Sequence, residues 1–303
     1  MLFVSGNITG HFFVFRDPLR TLFYFRESCR ENCLSPLMMD KMNREIIAVS
    51  FGSSFHDSRE KAIGAIEQAY AKAFPDHSVK RAFTSGMIIR KLKDRYGIVI
   101  PGIEEALEDA AARKVPALLL APTHILAGHE YERVLKAAEA YRSAFAELRI
   151  AKPLLSDERD QEELIAAIIR RTACFDNGHT AICLMGHGTD AEANRVYADL
   201  QEKLRSKGYR SYFIATVEAE PTFRDIVETV KAAGLYDHAV LLPLMVVSGE
   251  HAVNDMAGDS ETSWRSMFEA AGIRTDCILE GLGEYEDIRR TYVRHAKEAL
   301  EEK

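Results

Sequence analysis

The sequence predicts an α/β protein with two similar Rossmann-like domains, each built on a parallel sheet, and with a cleft between them. Three observations support this prediction. From residue 45 onward, short apolar segments of strand length alternate with amphipathic segments of helix length. The order of these segments in the first half recurs in the second half. The 303 residues are 47% hydrophobic and 28% charged, which is typical of a globular protein.

The first half begins with a short apolar strand at 46–51 that ends at Gly52 and is followed by a polar loop. Apolar residues then recur at helical spacing over 58–74, and further strands are predicted where apolar runs are bounded by polar residues. The remaining predicted elements are strands at 78–83 and 117–122 and helices at 88–95, 102–113 and 130–148. Strands that alternate with helices indicate a parallel sheet covered on both faces.

The second half repeats this order. A strand at 180–185 leads into a Gly-His-Gly turn at 186–188, and His251 falls in a loop after the third strand of this half. The other predicted elements are strands at 211–217 and 239–244 and helices at 191–207, 223–233, 263–271 and 284–302. The second half therefore predicts another parallel sheet with helices on both faces.

A local repeat supports a duplicated unit. Six residues separate Pro122 from Gly128 in the first half, and six separate Pro243 from Gly249 in the second. We place the boundary near Lys152, which gives an N-terminal α/β domain at 44–152 and a C-terminal α/β domain at 153–303 that includes the last helix. Ligands of such folds bind outside the carboxyl ends of the strands, so the cleft between the halves is the expected site.

Residues 1–43 differ from the rest because they are rich in aromatic residues and arginine and lack a sustained period. We expect an N-terminal extension that is disordered or loosely packed, with Met39 or Met42 as an alternative start, and without the features of a secretory signal. Cys29 and Cys33 resemble half of a zinc site, but no second pair lies near them in the sequence.

Charge and cysteine usage narrow the function classes. The formal net charge of −7 argues against nucleic acid as a partner, because phosphate binding needs clustered cations. No apolar run reaches the roughly 18 residues that a membrane span needs. An odd number of scattered cysteines, five, indicates a reduced compartment. These features predict a soluble cytoplasmic protein with a small-molecule or metal partner; a homo-oligomer stays open.

Three ionisable residues follow the predicted strands of the second half. His187 follows the first strand, Glu218 the second, and His251 lies a few residues beyond the third. Parallel strands bring their carboxyl ends to one edge, so these side chains can converge despite their distance in sequence. Two imidazoles and a carboxylate form a ligand set for a divalent metal with open coordination positions. A lone histidine or glutamate at such a place is usually structural or solvated, and it is the coincidence of three that favours a shared site.

A dinucleotide site is an alternative reading of the same turn. Residues 186–191 fit the pattern G-x-G-x-x-A between a strand and a helix, and Glu218 could bind a ribose hydroxyl. Glu218 lies 27 residues after Ala191, where about 20 is usual. This reading also leaves His251 without a role.

The first half lacks the histidine of the Gly-His-Gly turn, since Phe51 stands where His187 would be. Ser53 and Ser54 have no G-x-S-x-G context, so a serine hydrolase is unsupported. His124 directly follows a strand and either faces the cleft or caps a loop.

The motifs of both halves resemble those of the anaerobic cobalt chelatases of cobalamin biosynthesis, the sirohydrochlorin cobaltochelatases of the class II chelatase superfamily. They occur in order from about residue 45 to the C-terminus. The stretches are VSFGSS (49–54), RAFTSGMIIRK (81–91), MGHG (185–188), VE (217–218), GEHAVNDMA (249–257) and GLGE (281–284).

The resemblance implies a chelatase-like fold of two α/β domains around a tetrapyrrole cleft. It also implies insertion of Co²⁺ into sirohydrochlorin with release of two protons, with Co²⁺ as substrate metal and no organic cofactor. The family's metal-site residues fall on His187, Glu218 and His251, with His187 as proton acceptor and Glu218 as charge-neutralising relay. A chelatase for iron or nickel, a metal or tetrapyrrole carrier without turnover, and a nucleotide-dependent oxidoreductase remain as alternatives.

The expected partners are sirohydrochlorin and a divalent metal. Because sirohydrochlorin carries many carboxylates, Arg90 and Lys91 are candidates for binding them. Met87, Ile88 and Ile89 usually indicate core, and an apolar lip for a flat ligand is the alternative. The full set of candidate substrate-binding residues is Ser53, Met87, Arg90, His124 and Leu244.

Overall fold

The computed structural model describes residues 44–302. The predictions for residues 1–43, which include the extension, the alternative starts and the Cys29 and Cys33 pair, lie outside the described residues. Within 44–302, no helix combines the length and the apolarity needed to cross a membrane.

The first half contains a sheet of four parallel strands. The strands are β1 (Arg44–Ser50), β2 (Ser78–Phe83), β3 (Ala117–Pro122) and β4 (Glu147–Ile150). The helices are α1 (His56–Arg59), α2 (Ala65–Ala73), α3 (Gly86–Tyr96), α4 (Ile103–Ala112) and α5 (His129–Tyr141), and the π-helical turn Glu60–Gly64 joins α1 to α2. The strand order is β2-β1-β3-β4. Six consecutive residues of β1 are buried, which is expected of a central parallel strand with helices on both faces.

The second half has the same topology. Its strands are β5 (Thr180–Gly186), β6 (Tyr212–Thr216), β7 (His238–Pro243) and β8 (Arg274–Cys277). Its helices are α6 (Glu158–Thr172), α7 (Arg195–Ser206), α8 (Phe223–Ala233), α9 (Trp264–Ala270) and α10 (Glu286–Glu301). The strand order β6-β5-β7-β8 matches that of the first sheet, and all strands are parallel. The predicted α/β class with two similar parallel sheets is therefore confirmed.

Some predicted boundaries were wrong. The helix predicted at 130–148 ends at Tyr141, a 3-10 turn follows at Arg142–Ala144, and the chain then forms β4, whose residues pair with β3. The helix predicted from residue 191 begins at Arg195 after a 3-10 turn at Glu192–Asn194. His251 was expected in a loop but begins a π-helical turn. Pairing with a neighbouring strand overrides local helix preference in β4.

The C-terminal helix joins the two halves. One apolar cluster contains Ile46 and Leu119 of the first sheet, Ile182 and Val240 of the second, and Tyr292 of α10. The Tyr292 hydroxyl donates a hydrogen bond to the carbonyl of Thr123, directly after β3 (2.8 Å). The domain boundary near Lys152 stays a prediction, and α10 packs on elements of both sides of it.

A buried carboxylate ties α6 to α10. Oδ1 of Asp160 accepts hydrogen bonds from Arg294 Nη2 (2.5 Å) and His295 Nε2 (2.9 Å), and Oδ2 accepts from the backbone N–H of Ser156 (2.8 Å) and of Asp157 (3.1 Å). Burial favours the protonated acid, but the hydrogen bonds from His295 and Arg294 outweigh it and hold the pKa of Asp160 at about 2.

We expect Asp160→Asn to lower the free energy of unfolding by about 2 kcal/mol, because it removes the charged acceptor of the hydrogen bonds from Arg294 and the buried His295. The pKa of Asp160 in the folded protein lies below the usual aspartate value of 3.8, so this contribution is complete above that value and is lost as the pH falls towards 2. Urea unfolding of both proteins at pH 7 and pH 3 measures the difference, with exposed Asp176→Asn as control. Equal stability of wild type and Asp160→Asn at pH 7 would contradict this role.

Candidate metal centre

His187 occupies the first position after β5. A Cβ on Gly186, before it, would lie 2.4 Å from the Tyr197 ring, and Gly188, after it, has φ +86° with its missing Cβ 2.8 Å from the Ala219 nitrogen. Both positions therefore need glycine. The His187 Nδ1 lies 3.0 Å from the Gly188 carbonyl oxygen. Because a carbonyl can only accept, this contact places the proton on Nδ1 of the neutral imidazole and leaves the Nε2 lone pair free.

Glu218 follows β6 by two residues. The Glu218 backbone N–H donates to the His187 carbonyl (2.9 Å), which connects the two strand ends. The Glu218 side chain is exposed, and its Oε2 lies 3.6 Å from His187 Nδ1. The carboxylate is thus positioned beside the imidazole and remains open to solvent.

His251 begins the π-helical turn His251–Met256. Its Nδ1 lies 2.6 Å from Oδ2 of Asp255, one turn later. A carboxylate on Nδ1 fixes the tautomer of a histidine and leaves Nε2 as the ligand atom. Asp255 was not predicted as a site residue, because His251 was expected in a loop, where a spacing of four residues does not imply contact.

The structure brings the three predicted metal ligands together. One ligand atom from each of His187, Glu218 and His251 lies within 4.8 Å of the other two. The two imidazole rings are 4.9 Å apart, edge to face at 87°. Three ligand atoms at this separation can surround one divalent ion and leave coordination positions open.

The loop after β1 meets the loop that precedes His251. A Cβ on Gly249 would lie 3.8 Å from Oγ of Ser53, so the carboxyl edges of the two sheets face each other here. Ser53 itself is buried, and its Oγ accepts a hydrogen bond from the Phe55 backbone (3.2 Å). Leu244 is 1% exposed and belongs to the apolar cluster that joins the sheets, so it packs in the core beneath this sheet edge.

The predicted apolar lip is exposed. Met87 is 65% exposed at the start of α3, and Phe51, directly after β1, is 44% exposed. The Phe51 carbonyl accepts a hydrogen bond from Ser85, whose side chain caps α3, so both apolar residues lie on the same sheet edge. Arg90 lies one turn after Met87 and is exposed.

His124 lies apart from the three ligands, after β3. Its Nε2 is 3.5 Å from Thr84 Oγ1, and its Nδ1 is buried with no hydrogen-bond partner among residues 44–302. Burial lowers the pKa of His124 to about 4. The imidazole is therefore neutral at pH 7 and has one nitrogen without a partner within the protein.

The strand registers relate the two halves residue by residue. In the first sheet, Val49 pairs with Pro122 and Ser50 with Phe83. In the second sheet, Met185 pairs with Pro243 and Gly186 with Thr216. Ser50, Phe83 and Pro122 therefore correspond to Gly186, Thr216 and Pro243. Continuing these registers past the strand ends places three first-half residues where the second half has its ligands. They are Phe51, Ser85 and Glu130.

Glu130 is the acidic member of this first-half set. One of its carboxylate oxygens, Oε2, is buried and has no hydrogen-bond partner in the described part of the chain. Glu130 was not predicted as a site residue, although Gly128-His129-Glu130 parallels Gly249-Glu250-His251 in the sequence.

The dinucleotide reading of residues 186–191 loses its structural basis. In that fingerprint the glycine turn opens directly into a helix whose N-terminus faces the pyrophosphate. Here α7 begins at Arg195, seven residues after Gly188. The space beside Gly188 is filled by the backbone of Ala219.

Comparison with known proteins identifies a family. The family described as Cobalt chelatase (CbiK) matches residues 44–301. The chain is 37% identical over 259 residues to a sirohydrochlorin cobaltochelatase of Salmonella typhimurium, which covers 86% of this chain and 97% of the relative. It is 28% identical over 257 residues to the sirohydrochlorin cobaltochelatase CbiKC of Nitratidesulfovibrio vulgaris, with 84% and 90% covered.

Solved structures share the fold. SirB from Bacillus subtilis, solved with Fe³⁺, superposes with a TM-score of 0.58 at 15% identity, covering 86% of this chain and 96% of that one. CbiX, described as the terminal enzyme of siroheme biosynthesis in denitrifying bacteria, superposes with a TM-score of 0.50 at 15% identity, covering 85% and 99%. At this identity the likeness establishes the arrangement of the two sheets.

Proposed function

The chain belongs to the cobalt chelatase (CbiK) family, and on that premise we propose that it inserts Co²⁺ into sirohydrochlorin, as a step of anaerobic cobalamin biosynthesis. The observation that carries this proposal is the convergence of His187, Glu218 and His251, whose ligand atoms lie within 4.8 Å of one another. Insertion requires a site that strips water from the ion, binds it incompletely and accepts two pyrrole protons.

A set of three protein ligands suits a metal ion that must be released to the macrocycle. Two imidazoles and a carboxylate hold a divalent ion while pyrrole nitrogens take the open positions, whereas a closed four-ligand site would retain it. Nε2 is the ligand atom of each histidine, because Nδ1 of His187 is directed to the Gly188 carbonyl and Nδ1 of His251 to Asp255. Glu218 offsets the charge of the ion.

Two protons leave the macrocycle during insertion, and His187 is the proposed acceptor. The Nε2 lone pair of His187 becomes available for a proton once the ion has passed to the pyrrole nitrogens, and the Glu218 carboxylate lies beside the imidazolium that forms. On the first-half side, Glu130 offers a second acceptor, since its Oε2 has no hydrogen-bond donor among the described residues. Acceptors contributed by both halves would let the two protons leave separately.

The first-half edge provides the remaining substrate contacts of this proposal. Phe51 and Met87 present exposed apolar surface to a flat ring, and exposed Arg90 presents a cation to its carboxylates. The unpaired Nδ1 of neutral His124 supplies a further hydrogen-bonding group. Ser53 and Leu244 act by supporting this edge from within.

The cysteines indicate the compartment in which the protein works. Cys174, Cys183 and Cys277 are free thiols, which favours the cytoplasm as its location. The proposal involves Co²⁺ as substrate and assigns no organic cofactor, nucleic acid or membrane partner. Assembly into a homo-oligomer stays a prediction.

An anaerobic insertion assay tests the proposal. Purified protein, sirohydrochlorin and Co²⁺ are mixed, and the absorbance change is compared with the uncatalysed rate, then repeated with Ni²⁺ and Fe²⁺ in competition. We expect acceleration with Co²⁺. Tight binding of sirohydrochlorin or product without acceleration by any of these ions would instead identify a carrier.

A further inference from the structure

Two ion pairs connect the first half to the loops that carry the metal ligands. Lys91 Nζ of α3 lies 3.2 Å from Glu250 Oε2, and His129 Nε2 at the start of α5 lies 2.7 Å from Asp190 Oδ1. The partners are 159 and 61 residues apart in sequence. Both contacts therefore depend on the two carboxyl edges facing each other.

The two pairs have the same polarity. Each cation belongs to the first half and each acid to the second. Glu250 directly precedes His251, and Asp190 lies three residues after His187. The acids thus lie on the loops that present the ligands.

Both acids are free to move away. The side chains of Glu250 and Asp190 are 60% and 89% exposed. Exposed ion pairs contribute little to stability, so exchanging one partner for another anion costs little. Among the ion pairs formed by residues 44–302, Glu250 is the one partner of Lys91. The hydrogen bond with Asp190 raises the pKa of His129, which favours its charged form.

A ligand with many carboxylates needs the cations that these acids occupy. The carboxylates of Glu250 and Asp190 would also repel such a ligand. We propose that Glu250 and Asp190 are built-in competitors, which hold Lys91 and His129 until carboxylates of the macrocycle replace them. This inference rests on sirohydrochlorin being the substrate. The exchange releases the loops of His251 and His187 from the first half when the macrocycle arrives.

Competition predicts effects of opposite sign within one ion pair. Removing the acid frees the cation and strengthens macrocycle binding, whereas removing the cation weakens it. A pair that only holds the halves together predicts the same loss from either change. The sign of the effect at Glu250 therefore distinguishes the two roles.

The test is the affinity for metal-free sirohydrochlorin, measured by absorbance titration. We expect Glu250→Gln to bind roughly fivefold more tightly and Lys91→Gln roughly fivefold more weakly, the size of one exposed ion pair. In the Lys91→Gln background, Glu250→Gln should give less than twofold. Glu228→Gln, which neutralises an exposed acid of α8 in the same half, is the matched control for net charge.

Two outcomes would overturn the inference. Unchanged or weaker binding by Glu250→Gln would show that the acid does not compete, and a gain that persists without Lys91 would reduce the effect to overall charge. Co²⁺ insertion by the wild type, measured in parallel, separates this failure from that of the proposed function. If the wild type neither binds sirohydrochlorin nor inserts Co²⁺, both are refuted.

Discussion

Replacement of His187 by alanine is expected to reduce kcat for Co²⁺ insertion by at least about 100-fold, because the variant loses a metal ligand and its main proton acceptor together. Removal of a positioned general base alone typically costs 10²–10⁴-fold. Initial rates under anaerobic conditions, corrected for the uncatalysed reaction, measure the effect.

The fold should survive this change. The His187 side chain is 45% exposed and lies at the sheet edge, so truncation creates no cavity in the core. Thermal unfolding should show a Tm close to that of the wild type. His179→Ala, an exposed histidine elsewhere in the same half, is the matched control and should keep full activity. Insertion by His187→Ala at the wild-type rate would remove this residue from the mechanism.

Replacement of His251 by alanine is expected to weaken Co²⁺ binding by at least roughly 100-fold, because one of three ligands is lost. Loss of a residue that only orients a ligand costs 10–100-fold. Asp255→Asn, which removes the carboxylate on Nδ1 of His251, should therefore weaken binding less than His251→Ala does. Calorimetric titration with Co²⁺ in the absence of macrocycle measures both.

Glu218→Gln completes this series. It keeps the size of the side chain but removes the charge that balances the ion, so we expect a loss comparable to that of His251→Ala. The distant Glu228→Gln variant should bind Co²⁺ like the wild type. If the variants His251→Ala, Asp255→Asn and Glu218→Gln all bind Co²⁺ as tightly as the control Glu228→Gln, the metal lies elsewhere in the protein.

The four central strands and the edge strands β2 and β6 could be predicted from the sequence, whereas the edge strands β4 and β8 could not. The runs that form β1, β3, β5 and β7 are apolar because the strands are buried on both faces, and burial leaves a clear pattern. The edge strands β4 and β8 have four residues each and are partly exposed, so their composition does not separate them from helix or loop. Only pairing with β3 and β7 determines their conformation.

The candidate ligands could be found for a related reason. Each follows a recognisable central or neighbouring strand, and parallel strands deliver such residues to one edge. Asp255 acts through a side-chain contact within a π-helical turn, which the sequence did not reveal. The pairs of Lys91 with Glu250 and of His129 with Asp190 depend on how the two halves face each other, and no local pattern encodes that.

In the proposed reaction, the ion bound by His187, Glu218 and His251 is the ion that enters the macrocycle. A single-turnover experiment tests it most directly: protein loaded with one equivalent of Co²⁺ is mixed anaerobically with excess sirohydrochlorin, and product formation is followed by absorbance. We expect one equivalent of product per loaded site, formed much faster than without protein and lost in His251→Ala. Product formation at the uncatalysed rate, or an equal rate in His251→Ala, would contradict it.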